Sequence, residues 1–333
     1  MSSVGIIANP ASGKDIRRLV AHASVFDNNE KINILQRILL ALDAIGVERT
    51  ILMPDYYDLG ERALDGIKLP AMTAEILGMN VTATDQDSTH AAERMCERDV
   101  ACIIVLGGDG TNRVVAKGCG SIPIIPVSTG TNNVFPIMVE GTIAGMAAGL
   151  LALGLVDPDR VSYRAKRLEV YLDGKLAEIA LIDVVTSTDL WVGTRAIWDV
   201  NHIQEIVLAR AEPGTIGLSS IGSCFQRLGA RDPLGMYLQL GSGGRQVLAP
   251  MAPGIVSRVP IRQHRVLNLD EQVTLADACT IALDGERHIE VYGRPEITVR
   301  LTANGPRVID LYECMEEGVR HGAFLDSGAP TSA

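Results

Sequence analysis

The run Ala101-Cys102-Ile103-Ile104-Val105-Leu106, followed at once by Gly107-Gly108-Asp109-Gly110-Thr111, constrains this chain more than any other stretch. A continuous apolar run rich in β-branched residues fits a parallel strand covered on both faces. The three glycines predict backbone at positive φ and close approach by another group. Thr111 is a competent N-cap, so a helix is expected to start there. Strand, glycine loop and helix start together make an anion site, because free N–H groups and the positive end of the helix dipole converge. Asp109 sits inside that site. A carboxylate in a phosphate loop is unfavourable unless a metal or a reacting hydroxyl offsets its charge. The combination points to Mg²⁺-dependent phosphoryl transfer, with a plain tight turn as the alternative.

Two further loops have the same setting. Val4 to Ala8 reads as a strand that stops at Asn9-Pro10-Ala11-Ser12-Gly13-Lys14. This is not a Walker A loop, since Asp15 stands where a Ser or Thr would hold Mg²⁺. Ile122 to Val127 reads as a buried strand, with Pro123 and Pro126 arguing for an edge or irregular position. It ends in Ser128-Thr129-Gly130-Thr131-Asn132-Asn133. Helical spacing covers Asn33–Ile45 (with Gly46 as its C-cap), Leu59–Ile67, Ser88–Arg98 (with Ser88 as its N-cap) and Thr142–Leu153. Val47–Met53 and Asn80–Thr84 complete the strands. This alternation predicts a doubly wound, mostly parallel sheet over residues 1–156. In such sheets the loops after strand carboxyl ends share one rim, where ligands bind.

After Asp157-Pro158 the pattern changes to short alternating runs. Leu168–Leu172, Asp173-Gly174 and Leu176–Val185 read as a hairpin. Ile203–Ala209, Met236–Leu240, Gln272–Leu275, Thr280–Leu283, His288–Tyr292 and Glu296–Leu301 read as strands, with Asp284-Gly285 as a turn. Residues 157–325 are thus expected to form an all-β sandwich or open barrel. Val308–Leu311 is a late strand, Tyr312–Arg320 a terminal helix that can pack back, and 326–333 a disordered tail.

A length of 333 residues suits two domains. A net charge of −10 argues against a general nucleic-acid binder and against stable membrane association. The six cysteines form no CxxC pair and no zinc spacing, so buried free thiols and a reducing cytoplasm are expected. Residues 1–10 show no basic region ahead of their apolar run, so no signal peptide is read there. Arg258, Arg262, His264 and Arg265 fit a solvated strand edge, or a grip on an anionic acceptor. Trp191 and Trp198 are read as core, with a substrate wall as the alternative.

Four segments in order, Asn9 to Lys14, Gly107 to Thr111, Thr129 to Asn133, and Leu283-Asp284-Gly285-Glu286, resemble motifs of the superfamily of NAD kinases, diacylglycerol kinases and sphingosine kinases. The resemblance spans about residues 1–310. Asn133 stands where the lipid kinases carry an acid, and Asn112-Arg113 departs from the Asn-Glu pair usual in both the NAD kinase and the lipid kinase branches. The continuation after Thr111 and the segment Gly241 to Arg245 are similar to ATP-NAD kinase-like proteins of acetoin catabolism, the AcoX type. The resemblance implies an α/β domain, a β-sandwich and a cleft between them, with ATP and Mg²⁺ as cofactors. It implies phosphoryl transfer to a hydroxyl of NAD or another hydroxylated metabolite. By position, Asn9, Ser12, Gly13, Lys14, Gly107, Gly108, Gly110, Thr111, Thr129, Gly130, Thr131, Asn132 and Asn133 would bind the nucleotide. Asp109, Asp284 and Glu286 would be catalytic, with Asp109 also able to meet Mg²⁺. Arg113 and Lys117 would add positive charge near the phosphates, and a homo-oligomer is expected. The altered positions keep a second reading open, a non-catalytic nucleotide-binding regulator.

Overall fold

A computed structural model describes residues 2–13, 26–188 and 202–325. Lys14, Trp191, Trp198 and the tail at 326–333 lie outside these residues. The N-terminal half is a parallel α/β layer and the C-terminal half an antiparallel β region, as the sequence predicts.

Strands β1 (Ser3–Ala8), β2 (Arg49–Leu52), β3 (Thr73–Ile76), β4 (Cys102–Gly107) and β5 (Ile124–Ser128) pair in parallel, in the order β3-β2-β1-β4-β5. Helices α1 (Asn28–Ile45), α2 (Leu59–Asp65), α3 (Gln86–Glu97), α4 (Asp109–Gly118) and α5 (Gly141–Ala152) cover the two faces. Alternation along β4 shows why its sequence is apolar throughout. Cys102, Ile104 and Leu106 enter the core on one side, with α1 and α5. Ile103 and Val105 enter the core on the other, with α3.

Several expectations need correction. Asn80–Thr84 is not a strand; the third strand is β3, at the sheet edge, and its half-exposed residues gave little apolar signal. Residues 82–83 instead turn onto the Asp87 carboxylate, which accepts from both their N–H groups at 2.8–3.1 Å. That places Ser88 inside the first turn of α3 rather than at its cap. β5 is an interior strand despite its proline. The Pro126 carbonyl accepts from Ile137 N at 3.2 Å, so its missing N–H lies on that same side, where β5 is paired irregularly, through Ile124 with Val308 and through Val127 with Ile137, as the irregular alternative expects.

The second half contributes β6 (Ser162–Arg164), β7 (Arg167–Leu172), β8 (Lys175–Ala180), β9 (Asp183–Ser187) and β10 (Ile203–Leu208). The short helix α6 (Ser219–Ser223) precedes a long ribbon, β11 (Leu234–Ala252) and β12 (Ile255–Asn268). Then come β13 (Gln272–Leu275), β14 (Thr280–Leu283), β15 (Glu286–Glu290), β16 (Ile297–Thr302), β17 (Arg307–Ile309) and helix α7 (Leu311–Arg320). Two antiparallel sheets, β12-β11-β10-β9-β14-β15 and β13-β16-β7-β8, face each other across one apolar core. The expected strand Leu176–Val185 is two strands in different sheets, and the chain changes sheet at Leu181-Ile182. β12 is an exposed edge strand, and the Arg258–Arg265 cluster lies along it. Arg265 pairs with Glu271 and His264 stacks on Phe225 at 4.2 Å, which is the solvated-edge reading.

β6 and β17 do not belong to the sandwich. They extend the first sheet to seven strands, in the order β4-β5-β17-β6. α7 then packs on α5 through Cys314, whose thiol lies 3.7 Å from the Ala147 carbonyl. Cys102, Cys119 and Cys314 are buried free thiols as expected, whereas Cys224 is exposed.

Candidate functional site

β1, β4 and β5 are neighbours, so the loops that follow them emerge side by side at one rim. They are tied to one another by side chains. Asn9 Nδ2 donates to Thr111 Oγ1 at 2.9 Å, joining the first loop to the glycine loop. Thr129 Oγ1 donates to Ser12 Oγ at 2.9 Å, joining the third loop to the first. Gly13 has φ of +70°, and a Cβ there would lie 2.7 Å from the Thr129 carbonyl oxygen. Within the third loop Asn133 Nδ2 donates to Ser128 Oγ at 2.7 Å, and Thr131 Oγ1 donates to Asn132 Oδ1 at 3.1 Å. Ser128 Oγ in turn donates to the Gly130 carbonyl at 2.7 Å.

The glycine loop works differently from expectation. None of Gly107, Gly108 and Gly110 has positive φ. Their small size serves packing instead. A Cβ on Gly107 would meet the Thr111 side chain at 2.4 Å, and one on Gly108 would meet Asn133 Oδ1 at 2.8 Å. Gly108, not Thr111, is the N-cap of α4, and the helix begins at Asp109. Thr111 falls in the first turn and is buried. The leading amides of α4 have no acceptor within the helix and present its positive end at the rim.

Asp109 bridges rather than stands alone. Its carboxylate accepts from Val134 N at 3.0 and 3.1 Å and from Phe135 N at 2.7 Å, anchoring the exit of the third loop. Glu286 approaches from the second half; its Oε2 lies 3.6 Å from where a Cβ on Gly110 would be. Asp284 also reaches this junction, but its carboxylate points inward and is fully buried. Oδ1 accepts from the amides of Leu181, Ile182 and, at 3.4 Å, Asp183, and Oδ2 faces Arg113 Nε at 3.4 Å. Burial pushes the Asp284 carboxyl up to about 8; Arg113 opposes that rise, while Asp183 and Asp109 add to it.

Arg113 and Lys117 do not face the phosphate rim. Arg113 is buried between Asp284 and Glu178, and Lys117 Nζ donates to Glu178 Oε2 at 2.5 Å. Their helix needs acids from the second half to lower the cost of burying a guanidinium, so the two halves meet through charge. Sequence reasoning also missed Lys31. It lies on the apolar stripe of α1 with Ile34, Leu35 and Ile38, is wholly buried, and its ammonium donates to the carbonyls of Asn9, Pro10 and Ser12. A lysine in register with that stripe was the available signal.

Mg²⁺ takes few protein ligands and keeps several from water or phosphate. Among the described residues no group of three or more His, Cys, Asp or Glu gathers to hold a metal ion. Asp109 is the acid at the glycine loop and could meet a metal ion brought by a phosphate ligand. Among the described residues no helix is long and apolar enough to cross a membrane.

A parallel α/β domain followed by an antiparallel β-sheet region matches the NAD kinase fold. The ATP-NAD kinase N-terminal domain model matches residues 4–155, and the acetoin catabolism protein X C-terminal domain model matches residues 166–304. Acetoin catabolism protein X of Cupriavidus necator is 39% identical, with 96% of this chain and 92% of that protein aligned. The chain belongs to the acetoin catabolism protein X family. An NAD kinase of Neisseria meningitidis is 26% identical over 62% of this chain and 69% of its own length. A yeast NADH kinase solved with NADH aligns with all of this chain and 90% of its own, at 12% identity and a TM-score of 0.46.

Proposed function

We propose that this protein is an ATP-dependent kinase that transfers a phosphoryl group to a hydroxyl of NAD or a related hydroxylated metabolite. The observation that carries this reading is the bonding of three strand-end loops into one rim around the start of α4, with Asp109 inside it and Glu286 opposite. Phosphoryl transfer asks mainly for positioning and charge stabilisation, and such a rim supplies both. Asn9, Ser12, Gly13, Lys14, the glycine loop and the loop from Thr129 to Asn133 hold the nucleotide. Mg²⁺ bound with ATP would neutralise phosphate charge, and Asp109 is the residue that would meet it. The acceptor oxygen attacks the γ-phosphorus, the bond to the β–γ bridging oxygen breaks, ADP leaves, and the hydroxyl proton passes to a carboxylate. Asp109 and Glu286 are the carboxylates available for that proton. Asp284, buried against amides and Arg113, positions the turn that carries Glu286.

A second reading is a nucleotide-binding regulator without turnover, linked to acetoin catabolism. It is favoured by Asp109, whose two oxygens already accept amide N–H groups, and by Arg113 in place of an acid. One experiment separates the two. The protein is incubated with Mg-ATP and a panel of NAD, acetoin and related polyols, and products are followed by mass spectrometry. The kinase reading expects a phosphorylated product whose formation falls at least 100-fold in Asp109→Asn, a loss of about 2.7 kcal/mol or more of transition-state stabilisation. Tight nucleotide binding with no product across the panel would select the regulator.

A further inference from the structure

We infer that Lys31 is the positioning residue of this rim: its buried ammonium sets the orientation of the first loop and, through it, the register of all three loops. The assignment of loop geometry stands on contacts alone; its consequence for ligand rests on the nucleotide reading above. Lys31 has 0% exposure, although it lies in the first turn of α1. The three N–H groups of Nζ are shared among four acceptors: the carbonyls of Asn9 at 3.0 Å, Pro10 at 3.1 Å and Ser12 at 2.6 Å, and Asn28 Oδ1 at 3.1 Å.

The consequence follows from peptide geometry. In a planar trans peptide the carbonyl and the next residue's N–H point in opposite directions. Turning the Ser12 carbonyl onto the ammonium therefore aims the Gly13 N–H away from it. The Pro10 carbonyl does the same for the Ala11 N–H, which is received by Asn9 Oδ1 at 2.8 Å. With Oδ1 engaged there, Asn9 Nδ2 is directed at Thr111 Oγ1, in the first turn of the helix that starts the glycine loop's anion site. Ser12 is fixed the same way. Its hydroxyl donates to the Asn9 carbonyl at 2.8 Å and receives Thr129 Oγ1 from the third loop. One side chain on α1 thus determines where two bridges between loops are anchored. Lys31 lies beneath the loop and acts through Asn9 and Ser12. Without its donors the Pro10 and Ser12 carbonyls would face an apolar helix stripe, and the loop would turn over to hydrate them, whereas the Asn9 carbonyl keeps the Ser12 hydroxyl.

The test uses the full chain as Lys31→Met, which keeps the stem and removes the donors, and Lys31→Gln, which keeps an N–H donor group on a shorter stem. Leu39→Ala, a cavity in the same helix away from the rim, is the control for lost stability. Hydrogen exchange without nucleotide is measured on residues 9–13, 109–112 and 128–131, and Mg-ATP affinity by calorimetry. The expected order of loop exposure is wild type, Lys31→Gln, Lys31→Met, in all three segments together. Mg-ATP affinity falls in the same order, by at least tenfold for Lys31→Met, while Leu39→Ala leaves both unchanged. Wild-type exchange in Lys31→Met would overturn the assignment, as would equal loop exposure in Leu39→Ala. If the wild-type chain takes no Mg-ATP, the nucleotide reading fails, and exchange alone decides the role of Lys31.

Discussion

Asp284 carries a pH signature that belongs to a single residue. Its carboxyl is raised from 3.8 to about 8 in the folded chain. Between those values the native state binds a proton that the unfolded state has released, so this group's contribution to stability falls as pH rises, then levels off above about 8. Asp284→Asn removes that titration. Urea unfolding of both chains at pH values from about 4.5 to 9 is expected to show the wild type losing ground to the variant across that interval; parallel pH profiles would refute it. Its partner answers a separate test. Arg113→Met leaves Asp284 buried without its guanidinium, and a loss of roughly 3 kcal/mol is expected in the same unfolding measurement at pH above 8. The double variant is expected to recover part of that loss. At this scale Asn9, Ser12, Asp109, Thr111 and Thr129 were legible as residues of strand-end loops, but the direction in which neighbouring side chains point was not. Asp284-Gly285-Glu286 reads as one acidic turn, yet Glu286 faces Gly110 while Asp284 faces inward. Lys117 and Arg113 read as phosphate ligands because their acid partners, Glu178 and Asp284, lie far along the chain.

Among elements, the pairing of α1 with α5 sets how firmly the rim is held. Gly141, Gly145 and Gly149 recur every fourth residue and line the contact. A Cβ on Gly145 would lie 2.7 Å from the Ile38 carbonyl oxygen and 2.9 Å from Ala41 Cβ. Gly145→Val is therefore expected to push the helices apart and cost roughly 1–3 kcal/mol, read as a lowered urea midpoint. Because α1 carries Lys31 at its first turn, the same change is expected to increase exchange in residues 9–13. The helix itself was legible from its apolar stripe, and Gly46 at φ of +96° is its left-handed C-cap as predicted. Its true start was not, because Asp27, whose side chain accepts from Glu30 N, precedes a polar first turn with little periodic signal. The edge strand β3 was missed for a similar reason: its burial is partial, so its residues do not advertise a face.

At the scale of the whole molecule, the change from α/β to all-β texture was plain in the sequence and the terminal helix was read as able to pack back, whereas the return of β17 to the first sheet was not legible. A three-residue strand looks alike whichever layer receives it. The return means that residues 1–156 alone lack β6, β17 and α7, which complete one edge and one face of the first layer. The chain cut after 156 is expected to give no cooperative thermal transition by circular dichroism, while the full chain does.

The strands that leave and re-enter the first sheet are clasped together at the border. Ala165 N donates to the Pro306 carbonyl at 2.9 Å and Gly305 N to the Ala165 carbonyl at 3.0 Å. A segment of about 140 residues thus begins and ends at adjacent points, like an insert spliced into a host between two neighbouring stitches. A chain in which a two-residue bridge joins Ala165 to Gly305 should retain the seven-stranded host and lose the sandwich. Exchange of whole sandwiches between relatives at those two points should leave each host's rim loops intact, so that the two layers can be varied one without the other.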